Sequence, residues 1–360
     1  MKVKAGIITL HRANNYGAAL QCYALQETLA SRGYDAVMID YRQPYVELAY
    51  NPIRWDIVKQ GFTRPRLLGG YLTKVLPERW RRAKKYNRFR NQYFRCSARV
   101  NSAGEMPQDI DLYIIGSDQM WSLHCTGGKL DELFFGVFPH PKSSKVCGYA
   151  ISSNLRSLNE IGRDALSKYV RNFSSLSFRE KTICDKVEEM TGVCGRVDLD
   201  PTLLLDPKVW EKMADKPLTT KKYVLTYFLH DGAAFDENLQ NQVKTFAHKM
   251  GCEFINIFDI AVSPTEFLSA IKYATFIIAT SFHATVFSIL FKKQFYSLKT
   301  NDGKDIRYIN LLNELGISNR LVDIDKLSMQ ECDEIDYVKV QKRLNILRKE
   351  SISYLENLKL

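Results

Sequence analysis

The chain lacks any run of about 18 uninterrupted apolar residues, so no segment reads as a membrane-spanning helix. Met1-Lys2-Val3-Lys4 passes directly into the strand-like GIITL, and no secretory signal is expected. Paired cysteines are missing as well. The eight cysteines are scattered, none in a CxxC pair and mostly with apolar neighbours, which argues against a zinc site or disulfide framework and for reduced thiols. These absences lead to the expectation of a cytoplasmic protein. Internal repeats and low-complexity tracts are absent too.

Acidic residues are nearly missing from one stretch. Between Arg64 and Arg99 there are twelve basic residues against one acid, Glu78. The surplus there, 12 − 1 = +11, equals that of the whole chain, 51 − 40 = +11. Aromatics such as Trp80 and Tyr86 interleave the charge. Three readings stand side by side: a solvated helical face, a patch for anionic lipid headgroups, and a nucleic-acid surface. The last lacks any helix-turn-helix, zinc or RNA-binding motif, so no nucleic-acid partner is expected.

At 360 residues, 45% hydrophobic and 25% charged, the chain can bury two cores of ordinary domain size. Strand and helix patterns alternate. Lys4–Leu10 reads as a strand, AALQCYALQETLASRG as a helix ending at Gly33, and Ala36–Asp40 as the next strand, a βαβ unit. Further strands are expected at Leu112–Ile115, Lys145–Ala150, Ser175–Phe178 and Arg196–Asp200, followed by a polar connector at 206–222. The pattern restarts with YVLTYFL at 223–229, a helix near 236–250, EFINIF at 253–258 and the strand–helix of 275–291. We therefore expect an α/β protein with an N-terminal domain over 1–210 and a C-terminal domain over 220–332. A basic helical insertion is expected at about 52–100, and an amphipathic helix within 333–360.

Ligands of such sheets bind beyond the carboxyl ends of the strands, so residues just after strands are the candidates. They are Asn14, Tyr16 and Gly17 after the first strand, and Ser117 and Asp118 after Leu112–Ile115. Arg179 and Glu180 follow Ser175–Phe178, and Asp200-Pro201-Thr202 ends the strand at 196–200, where it could be turn chemistry alone. Ser281 is a candidate N-cap that puts His283 in the first helical turn, a place suited to an anion. Lys304 and Arg307 follow a strand at 294–298. Cations recurring at strand exits suit a small polyanionic substrate, with arginine supplying a bidentate fork. No residue set has metal-ligand spacing or suits a nucleotide-type cofactor.

Five motifs together resemble the polysaccharide pyruvyl transferase family: NYGAALQCYALQETLASRGYDAVMIDYR at 15–42, IIGSDQMW at 114–121, LSFRE at 176–180, LDPTLLL at 199–205 and TSFHATVFSILF at 280–291. The resemblance implies two Rossmann-like domains similar to those of B-type glycosyltransferases. It implies transfer of pyruvate from phosphoenolpyruvate to a sugar hydroxyl pair, forming a ketal on a cell-surface polysaccharide precursor and releasing phosphate. His283 is then the catalytic histidine, Arg179 a phosphoenolpyruvate ligand, and Lys304 a further cation. Arg307, Ser281, Asn14, Tyr16, Gly17, Ser117 and Asp118 complete the expected substrate-binding set. Phosphoenolpyruvate is a co-substrate, and neither cofactor nor metal is expected. The acceptor saccharide could be lipid-linked, with the protein peripheral at the inner face of the membrane. Two positions depart from the family pattern: Ala284 stands where many relatives carry Gly, and Phe282 where other branches carry Arg or Leu.

Two other functions remain open at this point. A nucleotide-sugar glycosyltransferase of similar architecture would need acidic residues in the helix after His283, and ATVFSILFKKQF has none. A non-enzymatic reader of acidic glycans or membranes would rest on the basic segment.

Overall fold

The computed structural model describes residues 2–61, 63–214, 216–228, 237–300, 305–330 and 333–359. Two parallel sheets organise it. The first has the order β3-β2-β1-β4-β5-β6-β7, built from β1 (Lys4–Ile8), β2 (Asp35–Tyr41), β3 (Cys96–Val100), β4 (Leu112–Asp118), β5 (Lys145–Ile151), β6 (Ser177–Phe178) and β7 (Arg196–Val197). The second has the order β12-β11-β10-β8-β9, from β8 (Tyr223–Tyr227), β9 (Glu253–Asn256), β10 (Phe276–Ala279), β11 (Gln294–Lys299) and β12 (Leu321–Asp323). Central strands such as β4 (BBBBBBi) and β10 (BBBB) are buried on both faces, which is why their sequences are continuous apolar runs rather than alternating ones. The architecture is two Rossmann-like α/β domains with a C-terminal helix.

Each sheet reverses its strand order once, between β1 and β4 in the first and between β10 and β8 in the second. Loops leaving the two sides of such a switch point in opposite directions and open a crevice. Both crevices open on the same interdomain space, because an apolar seam joins the domains. Tyr16 stacks on Phe267 at 4.8 Å between centroids, and Trp210 meets Tyr23 at 5.8 Å and Phe287 at 5.2 Å.

Trp210 corrects one expectation. The connector at 206–222 begins with a helix, Pro207–Met213, whose tryptophan is fully buried. The polar residues around it hid this apolar anchor, which Met213 accompanies. A second correction concerns the basic segment. After α1 (Tyr16–Ser31) and α2 (Pro44–Tyr50), the stretch folds as α3 (Trp55–Gly61), α4 (Pro65–Gly70), a π-helical turn at Tyr71–Val75, and α5 (Leu76–Tyr93). Residues 96–100, inside the stretch expected as helical, form the edge strand β3 instead, paired with β2. The third is Gly116-Ser117-Asp118, which continues β4 as far as an Asp118–Ile151 pair instead of leaving the strand at Ile115.

The C-terminal helix, Tyr337–Asn357, returns to the first sheet. Tyr354 Oη donates to the Gly148 carbonyl at 2.8 Å, Tyr34 Oη to that of Leu355 at 2.6 Å, and Arg348 Nε to that of Leu203 at 2.7 Å.

Candidate active site

A cavity of about 400 Å³ occupies the space where the two crevices meet. Its wall includes Gly17 after β1, Asp118 ending β4, Tyr227 ending β8, and Ser281 and His283 after β10. All of these lie at strand exits, and the topology brings them together from two domains.

His283 is set by the helix that bears it. Ser281 caps Phe282–Leu290, its side chain accepting from the Ala284 N–H at 3.4 Å, and every residue of the helix is buried. The imidazole therefore cannot swing into solvent. Its Nε2 lies 3.6 Å from Asp200 Oδ2, too long for a hydrogen bond but within charge-pairing range. That nitrogen has no hydrogen-bond partner. On the other side the ring presses on α1: a β-carbon at Gly17 would sit 1.9 Å from Nδ1.

Arg179, immediately after β6, is 2% exposed in its side chain and surrounded by carboxylates. Its Nη1 donates to Asp200 Oδ2 at 2.7 Å, its Nε to Glu180 Oε1 at 3.1 Å, and its Nη2 lies 3.6 Å from Asp118 Oδ1. Burial opposes its charge, yet Glu180, Asp200 and Asp118 together hold the guanidinium above its ordinary value. The Phe282 ring lies 4.8 Å beneath the guanidinium carbon. At the position where the family pattern allows an arginine, this chain thus has an aromatic platform for one. One donor of Arg179, Nη2, remains without a hydrogen-bond partner.

Asp200 joins the two cationic groups. Burial resists its ionisation, but His283 and then Arg179, helped by the Thr202 hydroxyl at 2.6 Å, hold its carboxyl well below the usual range. Glu180 goes the other way: burial raises it, with Arg179 and Arg307 only partly offsetting this, and it accepts from the Ser152 hydroxyl at 2.8 Å. Arg307, in the first turn of Ile306–Leu315, also lines the cavity. Burial, and next the like charge of Arg179, push it below the ordinary guanidinium value. A guanidinium that faces both burial and the like charge of Arg179 is one that a nearby anion relieves. Asp118 holds a φ of 94°, a backbone conformation rare for side-chain-bearing residues and concentrated at functional sites.

The other expected residues divide. Ser281 and Gly17 line the cavity, Gly17 as backbone. Ser117 is fully buried next to it, its Oγ without a hydrogen-bond partner and its carbonyl accepting from Thr9 Oγ1 at 2.8 Å. Tyr16 is not in the site. Its ring is fully buried in the interdomain seam and its hydroxyl donates to the Ala261 carbonyl at 2.7 Å. Asn14 is also displaced: its Oδ1 accepts two bonds of 3.1 Å from Arg90, and it lines a small adjoining cavity. A residue after a strand can turn inward to the core as readily as outward to a ligand. Lys304 lies outside the described residues.

Two features were missing from the expected substrate-binding set. Asp200 was considered as a strand-exit residue, with turn chemistry as the alternative, and was given no role. Tyr45 and Tyr50, which form a wall of the cavity, come from α2; the only local signal was Gln43, whose side chain caps the helix, followed by Pro44.

Among solved structures, the chain is similar to a putative UDP-N-acetylglucosamine 2-epimerase from Listeria monocytogenes, with 8% identity, 97% of each chain covered and a TM-score of 0.46. It is also similar to a Methanocaldococcus jannaschii UDP-GlcNAc 2-epimerase, with 10% identity, 97% of this chain and 93% of that one covered, and a TM-score of 0.46. A third is Medicago truncatula UGT71G1 complexed with UDP-glucose, with 10% identity, 99% and 98% covered, and a TM-score of 0.44. No curated protein matches the chain. The family model described as polysaccharide pyruvyl transferase matches residues 15–302, a span that contains Gly17, Asp118, Arg179, Asp200 and His283, and the chain belongs to that family.

Proposed function

We propose that the protein transfers the carbon skeleton of phosphoenolpyruvate to two hydroxyls of a saccharide, closing a pyruvate ketal and releasing phosphate. The observation that carries this reading is that Arg179 Nη2 and His283 Nε2, both buried and both held by Asp200, have no hydrogen-bond partner. Buried polar groups are nearly always satisfied, so two left unused, His283 at the 400 Å³ cavity and Arg179 at an adjoining one of about 210 Å³ that shares Phe282 and Arg307 with it, call for a partner from outside the chain.

Phosphoenolpyruvate brings roughly three negative charges, from phosphate and carboxylate. Arg179 offers its spare Nη2 to these groups, the Arg307 guanidinium adds positive charge, and the N-terminal N–H groups of the His283 helix add to them. The His283 imidazolium protonates the C3 methylene, which leaves C2 electrophilic. A sugar hydroxyl oxygen then bonds to C2 and its proton returns to His283. The C2–O bond to phosphate breaks, the second hydroxyl closes the ketal, and its proton leaves with the phosphate. Asp200 acts by position, facing one ring nitrogen and so fixing which one carries the proton.

For the acceptor, Asp118 supplies a carboxylate to sugar hydroxyls, and Tyr45 and Tyr50 supply apolar faces. We take the acceptor to be a precursor of a cell-surface polysaccharide, carried on a lipid. The absence of any carboxylate in Phe282–Leu290 counts against a nucleotide sugar as donor. Phosphate release from phosphoenolpyruvate, measured with a panel of lipid-linked glycans, tests the reading. Release that needs a glycan and yields a pyruvylated product is the expected result. Stabilisation against heat by UDP-sugars but not by phosphoenolpyruvate would overturn it.

A further inference from the structure

The basic segment separates into two populations that composition could not distinguish. Five of its cations have work inside the fold. Arg90 is buried against Asn14, and Arg82 lies 5.0 Å over the Tyr16 ring while donating to the Asn14 carbonyl. Lys85 pairs with Glu266 across the domain seam, and Arg95 pairs with Glu27 at 2.8 Å. Arg79 donates to the carbonyls of Ala49 at 2.8 Å and Asn51 at 2.6 Å.

Six of the remaining cations, Arg64, Arg66, Lys74, Arg81, Lys84 and Arg88, are exposed in the same stretch as exposed apolar side chains, and the seventh, Arg99, is exposed on β3. Five of the twelve large apolar residues exposed among the described residues lie here as well; Tyr45, Leu48 and Tyr50 precede the segment on α2, and Leu155, Tyr273, Val338 and Ile346 are scattered over the rest. Trp55 and Trp80 are 56% and 57% exposed, accompanied by Leu67, Leu72 and Val75. On α5 the 3.6-residue period puts Trp80, Lys84 and Arg88 on the outer face and Ala83, Tyr86 and Phe89 on the buried one. A purely solvated face would expose charge without the tryptophans, and a nucleic-acid surface has no use for leucine and valine.

From this juxtaposition we propose that the outer face of residues 55–88 docks on an anionic lipid bilayer. The apolar side chains enter the headgroup boundary and the cations meet the lipid phosphates. Each such cation multiplies partitioning roughly fivefold, an effect that falls off over a Debye length of about 8–10 Å.

The docked face connects to the active-site cavity. A groove of about 740 Å³ beside Trp80, Lys84 and Arg88 shares Pro52, Ala83 and Asn87 with the small cavity at Asn14. That cavity in turn shares Val46 and Tyr50 with the one that holds His283. Arg79 bonds the segment to the end of α2, which carries Tyr45 and Tyr50. A saccharide still on its lipid would thus be presented along this line; only that consequence rests on the proposed reaction, and the docking does not.

Co-sedimentation with vesicles of phosphatidylcholine, and of phosphatidylcholine mixed with phosphatidylglycerol, at low and physiological salt, tests the proposal without any substrate. We expect binding to the anionic vesicles only, weakened by salt. The triple variant Arg81→Glu, Lys84→Glu, Arg88→Glu should lower it at least about tenfold. Trp80→Ser should lower it while leaving its salt dependence in place. Arg82 and Lys85 are left unchanged because they hold the seam, and phosphate release with a soluble acceptor should be equal in all variants. Wild-type protein that stays in the supernatant, or that binds neutral vesicles equally, overturns the proposal. So does self-association that Trp80→Ser abolishes without any vesicle binding, which would assign the face to a second copy of the chain. Loss of phosphate release with vesicle binding intact would instead count against the reaction alone.

Discussion

Gly17, at the start of the first helix of one domain, lies so close to His283 of the other that a β-carbon on it would meet the imidazole Nδ1 at 1.9 Å. The contact explains a glycine that helix propensity disfavours by about 1 kcal/mol relative to alanine. Its backbone lacks the positive φ that would otherwise call for glycine, so the requirement is for space alone. Gly17→Ala should therefore lower turnover at least about tenfold through a displaced ring, despite the better helix former. Steady-state kinetics alongside a thermal melt check this. Unchanged turnover would mean that the ring yields to the methyl at no catalytic cost.

His283→Ala removes the proposed proton donor and should lower turnover by at least about a hundredfold, the usual scale for a general acid. The fold should persist, with a modest loss of stability from the space the ring leaves and from the charge pairing Asp200 loses. Phosphate release near the wild-type rate would remove His283 from the chemistry. A large loss of melting temperature would make it a packing residue instead.

Arg179 should respond differently to two substitutions. Arg179→Ala leaves Asp200 and Glu180 buried without their partner, and we expect a destabilisation of about 3–5 kcal/mol, read by denaturant unfolding. Arg179→Lys keeps a charge for those carboxylates but loses the fork, including the spare Nη2. It should stay folded while binding phosphoenolpyruvate about 1.5–3 kcal/mol more weakly. Equal affinity in the lysine variant would reduce the arginine to an internal ion-pair partner.

Asp200 provides a test in pH. Its carboxyl is held below the usual range when folded, so the stability it contributes is complete above the unfolded value of about 3.9 and is lost as pH falls towards the folded one. The stability gap between wild type and Asp200→Asn should be constant through weakly acidic pH and close as the pH drops below about 4. A gap independent of pH over that range would show that Asp200 does not act through its charge. The same variant should lose more in kcat than in KM, because it positions the ring of His283 rather than gripping substrate.

The two parallel sheets were legible because strands buried on both faces are continuous apolar runs and the intervening helices have their own period. β10 and the helix of His283 could be read from TFIIATSFHATVF, and the cap at Ser281 placed the histidine in the first turn. Arg179 was legible as a cation at a strand exit, since exits in such sheets turn towards the crevice. All of this depends on neighbours in the chain, which a sequence displays directly.

What touches what across the domains was decided by tertiary structure alone. Tyr16 and Gly17 are adjacent in sequence, yet one enters the seam and the other makes room for His283, because successive residues of a helix point about 100° apart. Asp200 read as a strand-exit residue with no role until the fold set His283 and Arg179 on either side of it. The twelve cations of the basic segment were equivalent by composition, and packing divided them into those that bond to groups of the fold and those that face outward. Local pattern sets which elements form; the relative placement of distant segments depends on packing between them, and no short-range signal encodes it.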